Sequence, residues 1–209
     1  MLNDGSLTLR EFTMSESLPL ATIHESVLQY LKGRQDLAVF GAQAVNVYVE
    51  PPGMTQNIDL MSTHASELAE EIRTFLADTF AIAVRIGHVA SGAGHRVYQL
   101  RKPKNRHLVD IRQEDRLPEC QSIGGLMVLM PAELIARKIV SIVGRANTPK
   151  AMTDTADVWR LLLAFPELKS PVGTVADLLH RMSASTQAIL QWEQVVITNI
   201  QPEDDDADY

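Results

Sequence analysis

Two stretches of the chain put carboxylates where they could hold a cation. In Asn57-Ile58-Asp59-Leu60-Met61 the two-residue period of a strand turns Asn57 and Asp59 to one face and packs Ile58 and Leu60 behind. In the run 107–113, Leu108, Asp110 and Arg112 share one face, with Val109 and Ile111 on the other. An isolated ionised carboxylate is costly against a core, so Asp110 must meet solvent, a cation or a partner. If these strands are neighbours, Asp59 and Asp110 can hold Mg²⁺, whose octahedral oxygen shell combines one or two carboxylates with water and phosphate oxygens. Taken alone, Asn-Ile-Asp more often marks the end of an edge strand, so its context must decide.

Other residues leave two readings open. Leu134, Lys138 and Arg145 fall on one helical face, either as the rim of an amphipathic helix or as two cations for a triphosphate. Asp154 and Asp157 also share a face, but Asp154 suits a helix N-cap and Asp157 is within reach of Arg160 or Arg137. Arg96, Arg101, Lys102, Lys104, Arg106 and His107 make a dense basic region bordering Asp110. It reads as a solvated hairpin or as a surface for a nucleoside triphosphate or an RNA backbone, whose signature is salt-sensitive affinity. His88 and His95 flank the turn Ala90-Ser91-Gly92-Ala93-Gly94, which lacks the lysine and helix of a phosphate loop. Cys120 is the sole cysteine; it excludes an internal disulfide and a cysteine-rich zinc site, and no base accompanies it.

The elements that must position these residues follow from periodicity. A helix is predicted over 19–33, from Leu20, Ile23, Val27, Leu28 and Leu31. A short apolar strand, 37–40, runs into Gly41, where a sharp backbone turn opens a short helix. After Pro51-Pro52-Gly53 comes the strand 57–61, then a crossover helix over 66–80. Runs at 81–88, 96–102 and 107–113 predict an antiparallel meander. A further strand, 125–130, ends at Pro131, well placed as the first residue of a helix. From there only helices are predicted, over 131–145, 153–164 and 172–201, the last interrupted near 183–185. The expected fold class is α+β, with an α/β-like head over 1–130, a helical subdomain over 131–202 and an acidic, disordered tail over 203–209.

The order of these pieces resembles the nucleotidyltransferase superfamily, and in particular the minimal nucleotidyltransferases related to the AbiEii toxin. Four segments carry the likeness, between about 37 and 163: FGAQAVNVY, MTQNIDLM, LMVLMPAELIARKIVSIVGR and MTDTADVWRLL. The resemblance implies a mixed sheet flanked by helices and a Mg²⁺-dependent transfer of a nucleoside monophosphate from a nucleoside triphosphate to an RNA, such as tRNA, or to a protein. It implies metal ligands at Asn57, Asp59 and Asp110, nucleotide contacts from Gly41, Ala42, Thr55, Lys138 and Arg145, and Asp157 orienting or deprotonating the acceptor. A toxin–antitoxin or phage-defence setting, with a cognate antitoxin as partner, is part of the same implication. The chain departs from the pattern in four places. Asn57 stands where the first acid of the pair is expected, which keeps a carbonyl ligand and removes a charge. Ala42 replaces a second glycine or a serine, the basic residue expected near Gly53 is missing, and His107-Leu108 replaces a lysine before the third acid. Two alternatives follow: a catalytically silent relative that binds nucleotide or a macromolecule, and a small-molecule transferase of the antibiotic-modifying kind.

Composition sets the outer bounds. The 209 residues are 45% hydrophobic and 22% charged, an ordinary globular balance. The formal charge of −7 is concentrated at the end; without 203–209 the chain carries 19 basic against 21 acidic residues, so acidity does not exclude a nucleic-acid partner. The first residues lack the apolar run of about 7 to 15 that a signal peptide needs. No apolar stretch reaches the roughly 18 residues of a membrane span. The expectation is a cytoplasmic protein without a membrane partner.

Overall fold

The computed structural model describes residues 18–53, 55–89 and 94–202, so the acidic tail and most of the turn between His88 and His95 lie outside it. The described residues form two compact units, one up to Val47 and from Pro51 to Leu129, the other of Tyr48–Glu50 and the residues from Met130 onward.

The first unit is built on a mixed sheet of seven strands among the described residues. In chain order these are β1 (Leu37–Phe40), β2 (Ile58–Ser62), β3 (Val84–His88), β4 (Gly94–Gln99), β5 (Arg106–Gln113), β6 (Cys120–Ile123) and β7 (Leu126–Leu129). Across the sheet the order is β3-β4-β5-β2-β1-β7-β6. Pairing is parallel between β2 and β5 and between β1 and β7, and antiparallel elsewhere. All four residues of β1 are buried, which is why Leu-Ala-Val-Phe is continuously apolar rather than alternating. The helices are α1 (Leu20–Tyr30), α2 (Gly41–Tyr48) and α3 (Ala65–Phe80). On α3, Leu68, Ala69, Ile72 and Leu76 are buried against the sheet while Glu67 and Glu70 face water, the stripe expected of a helix lying on a sheet face. Packing of α3 on β3, β4 and β5 covers the meander that the sequence predicts.

Two differences from the sequence reading have local causes. The strand Cys120–Ile123 adds to the expected set, because four residues with two polar ones give no clear period. It turns into β7 through Gly124 and Gly125, so Gly125 belongs to the turn and not to the strand expected from 125; φ angles of +59° and +84° suit the two-residue turn that joins antiparallel strands. The helix expected from 153 begins earlier, at Pro149. Thr148 is its cap, accepting from the Ala151 amide at 3.3 Å, so Asp154 is not an N-cap but a mid-helix residue.

The second unit holds α4 (Pro131–Gly144), α5 (Pro149–Ala164), α6 (Thr174–Arg181) and α7 (Thr186–Ile197), and α4 packs on each of the other three. Pro131 opens α4 as expected. The break near 183–185 separates α6 from α7, with Ser185 capping the latter. Among the described residues no helix is long and apolar enough to cross a membrane.

An ion cluster ties the approach to β1 to α3. Arg34 donates Nε and Nη2 to Asp36 at 2.9 and 2.5 Å and pairs with Glu71. The Arg34 fork lowers the Asp36 pKa against the opposing push of partial burial. A folded pKa below the unfolded one means that stability from Asp36 is complete above the ordinary carboxylate range and is lost as pH falls through the folded value. Asp36→Asn should therefore lower stability at neutral pH and flatten the acid limb of the stability curve, read by urea unfolding between about pH 7 and pH 3. An unchanged acid limb would show that the cluster is too solvated to matter.

Candidate functional site

Strand register builds the site. Residues directly opposite one another run across four neighbouring strands: Phe40 on β1, Asp59 on β2, Asp110 on β5 and Arg96 on β4. Opposed residues share a sheet face with Cβ atoms about 4.5 to 5.5 Å apart, so Asp59 and Asp110 project side by side. Arg112 reaches over the Phe40 ring, 4.9 Å from its centre, and adds a positive charge to that face.

Asp59 rests on the residue that opens α2. A Cβ at Gly41 would lie 2.1 Å from Asp59 Oδ2, and Gly41 has φ +70°. Glycine is thus required twice, for the turn and for the close approach. The first amides of a helix lack intrahelical partners and favour negative charge, so the start of α2 suits both this carboxylate and an anion beside it. Asn57 lies one residue before β2 rather than within it, and donates its Nδ2 to Asp59 Oδ1 at 2.8 Å. Where an acid would bring a second charge, the amide supplies a hydrogen bond.

Asp110 carries its own cation. Arg96 Nε donates to Asp110 Oδ1 at 2.8 Å, and His107 Nε2 lies 3.4 Å from the same oxygen. Burial pushes the Asp110 pKa up, but His107 and Arg96 outweigh it and hold the carboxyl below its usual range. The basic region is thereby divided. Arg96 serves Asp110, Arg106 donates to the Leu18 carbonyl at 3.0 Å, and Arg101, Lys102 and Lys104 are exposed. His88 and His95 stand opposite each other with ring centres 5.1 Å apart. Thr55 donates to Gln43 Oε1 at 3.0 Å, and Ala42 lies in the first turn of α2, partly exposed. Gln43 itself escaped the sequence reading. It is 1% exposed and its Nε2 has no partner among the described residues, which makes it a candidate donor beside Gly41; polarity inside an apolar helix was the signal.

The remaining candidates lie together in the second unit. Lys138 donates to Asp154 Oδ1 at 3.0 Å and to Asp157 Oδ2 at 2.6 Å, and Arg145 donates to Asp154 Oδ2 at 2.8 Å. Arg160 is 3.8 Å from Asp157. The side chains of Lys138, Asp154 and Asp157 are 8%, 3% and 8% exposed. The Lys138 ammonium is therefore held by two carboxylates rather than standing free for a phosphate, and Asp157 is paired rather than an unencumbered base. Spacing put all four residues on matching helix faces; it could not show that the two faces meet.

Chemically, the first unit offers two adjacent carboxylates, an amide and a helix start. Among the described residues no three of His, Cys, Asp and Glu converge as a metal cage; the side chains that could contribute to a cation's shell, beside water and phosphate oxygens, are Asp59, Asp110 and the Asn57 carbonyl. Two substitutions test these assignments by urea unfolding. Gly41→Ala should cost more than the roughly 1 to 2 kcal/mol of a left-handed non-glycine residue, because Asp59 must also move. Lys138→Met should cost about 3 to 5 kcal/mol, the penalty of stranding buried carboxylates. Wild-type stability in either variant would remove the corresponding contact from the account.

No protein-family model matches the sequence, and no curated protein matches it. Solved structures do resemble it. The polyadenylate synthase of Megavirus aligns with a TM-score of 0.59 at 13% identity, over 75% of this chain and 34% of the viral one. JHP933 from Helicobacter pylori aligns with a TM-score of 0.49 at 12% identity, over 91% and 94% of the two chains. An antigenic nucleotidyltransferase-like protein from Paracoccidioides brasiliensis gives 0.43 at 15% identity, over 88% and 94%. The chain spans about a third of the viral protein, and the likeness to that protein establishes the architecture: a seven-stranded mixed sheet flanked by helices, the nucleotidyltransferase fold.

Proposed function

We propose that this chain binds a nucleoside triphosphate at the Gly41–Asp59–Asp110 face and transfers its nucleoside monophosphate to a hydroxyl of an RNA, tRNA included, or of a protein. The observation that carries the reading is the parallel register of β2 and β5, which sets Asp59 beside Asp110 while Gly41 opens a helix against Asp59. A triphosphate approaching that helix start would meet unpaired amides. In the transfer the acceptor oxygen bonds to the α-phosphorus as the bond to the bridging oxygen breaks; pyrophosphate leaves and the acceptor proton passes to water. Mg²⁺ held by Asp59 and Asp110, with the Asn57 carbonyl as a weaker ligand, would neutralise charge on the phosphates. Asp59 orients against Gly41, and Asn57 holds Asp59 in place through its amide. The biological setting that goes with this reading is the toxin of a toxin–antitoxin or phage-defence pair, with the antitoxin as partner.

A second reading has its own support: a relative that binds nucleotide without turnover. Asn57 removes one charge, and Arg96 already neutralises Asp110. One experiment separates the two. The full chain is incubated with Mg²⁺, each α-³²P-labelled nucleoside triphosphate and either bulk tRNA or a protein extract. Transfer of label by the wild type and its loss in Asp59→Asn supports catalysis. Nucleotide binding that needs Asp59, without transfer, supports the silent relative. Binding and transfer indifferent to both Asp59→Asn and Asp110→Asn would overturn the site.

A further inference from the structure

We propose that Arg96 is an internal competitor of the divalent cation at Asp110, so that the site takes up a cation poorly by itself and receives it together with a triphosphate. This rests on the reading above only in taking the Asp59–Asp110 pair as the cation's place.

Arg96 is the direct cross-strand partner of Asp110, so the pairing of β4 with β5 fixes where its side chain starts. The contact is a charge-assisted hydrogen bond of 2.8 Å to Oδ1. The Asp110 side chain is only 23% exposed and that of Arg96 44%, so the carboxylate is the more sheltered partner. A sheltered carboxylate must be compensated. Here Arg96 supplies compensation through its hydrogen bond to Oδ1.

Charge counting points the same way. Three acids would present three negative charges to a cation; here Asn57 is neutral, and the formal charges of Asp59 and Asp110 are matched by those of Arg96 and Arg112 on the same face. A free cation must displace the guanidinium from an oxygen it would ligate and gains little field in return. A triphosphate changes both terms. Its oxygens supply most of a Mg²⁺ shell, and they give the displaced guanidinium a new anionic partner of the geometry that arginine prefers.

The test uses Mn²⁺ as a paramagnetic probe, its binding to the full chain without nucleotide read from the electron paramagnetic resonance of free Mn²⁺. Wild type should bind weakly. Arg96→Gln should bind about 10- to 100-fold more tightly, the range of one charge-assisted hydrogen bond, and the gain should vanish in Arg96→Gln/Asp110→Asn. Asn57→Asp should tighten binding through the other carboxylate. Arg73→Gln on α3, which removes the same charge from an exposed pair with Glu70, should change nothing. Should Arg96→Gln fail to fold by circular dichroism, Arg96→Lys decides instead, because a point charge lacking the planar fork holds Asp110 less firmly and should bind Mn²⁺ more tightly than wild type. Equal Mn²⁺ affinity in wild type and a folded Arg96 variant would overturn the proposal, as would an equal gain in Arg73→Gln. Binding of each of the four nucleoside triphosphates, measured on the same proteins, keeps the two ideas apart: failure of all four to bind any of them defeats the proposed function, while the Mn²⁺ ranking still judges Arg96.

Discussion

Two ionised carboxylates cannot stand side by side on a sheet without something holding them there, and that constraint orders the first unit. Parallel pairing of β2 with β5 brings Asp59 and Asp110 together. Each is then stabilised by different means. Asp59 lies against Gly41, where a helix begins, and accepts from Asn57. Asp110 is paired with Arg96 from the next strand. Mutual repulsion is thereby divided between a helix start, an amide and a guanidinium. The buried strand β1 is central to this arrangement, because it pairs with β2 and its last residue leads directly into Gly41.

The second unit contains a different solution to buried charge. Lys138 lies between Asp154 and Asp157, and Arg145 satisfies the outer oxygen of Asp154. Ion networks of this kind contribute less to net stability than their contacts imply, since every member loses hydration, but removal of one member leaves its partners uncompensated. The network joins α4 to α5, so the two helices are tied by charge as well as by their apolar stripes.

Much of this was legible in the sequence wherever a local rule sufficed. Four apolar residues ending at a glycine fixed β1 and the start of α2, and alternation placed Asp59 and Asp110 on their strands. Pro131 marked the start of α4. What escaped depended on partners distant in the chain. Spacing gave Lys138, Asp154 and Asp157 their helix faces but not their meeting, so a lysine bordering an apolar stripe read equally as a helix rim and as a phosphate ligand. Arg96 read as one member of a basic hairpin because nothing local specifies that β4 sets it opposite Asp110. Asn57 was assigned to a strand by parity, yet the strand starts one residue later and its side chain reaches Asp59 from a bend.

The central claim is that the Asp59–Asp110 pair on neighbouring parallel strands is the place where nucleotide and cation meet. A crystal grown with Mn²⁺ and a non-hydrolysable nucleoside triphosphate tests it most directly, through the anomalous scattering of the metal. The account predicts a peak about 2 Å from oxygens of both carboxylates, as for any hard six-coordinate cation, with the triphosphate at the start of α2 and Arg96 turned from Asp110 toward a phosphate. A triphosphate bound elsewhere, or a metal peak that touches neither carboxylate while Arg96 stays on Asp110, would contradict it.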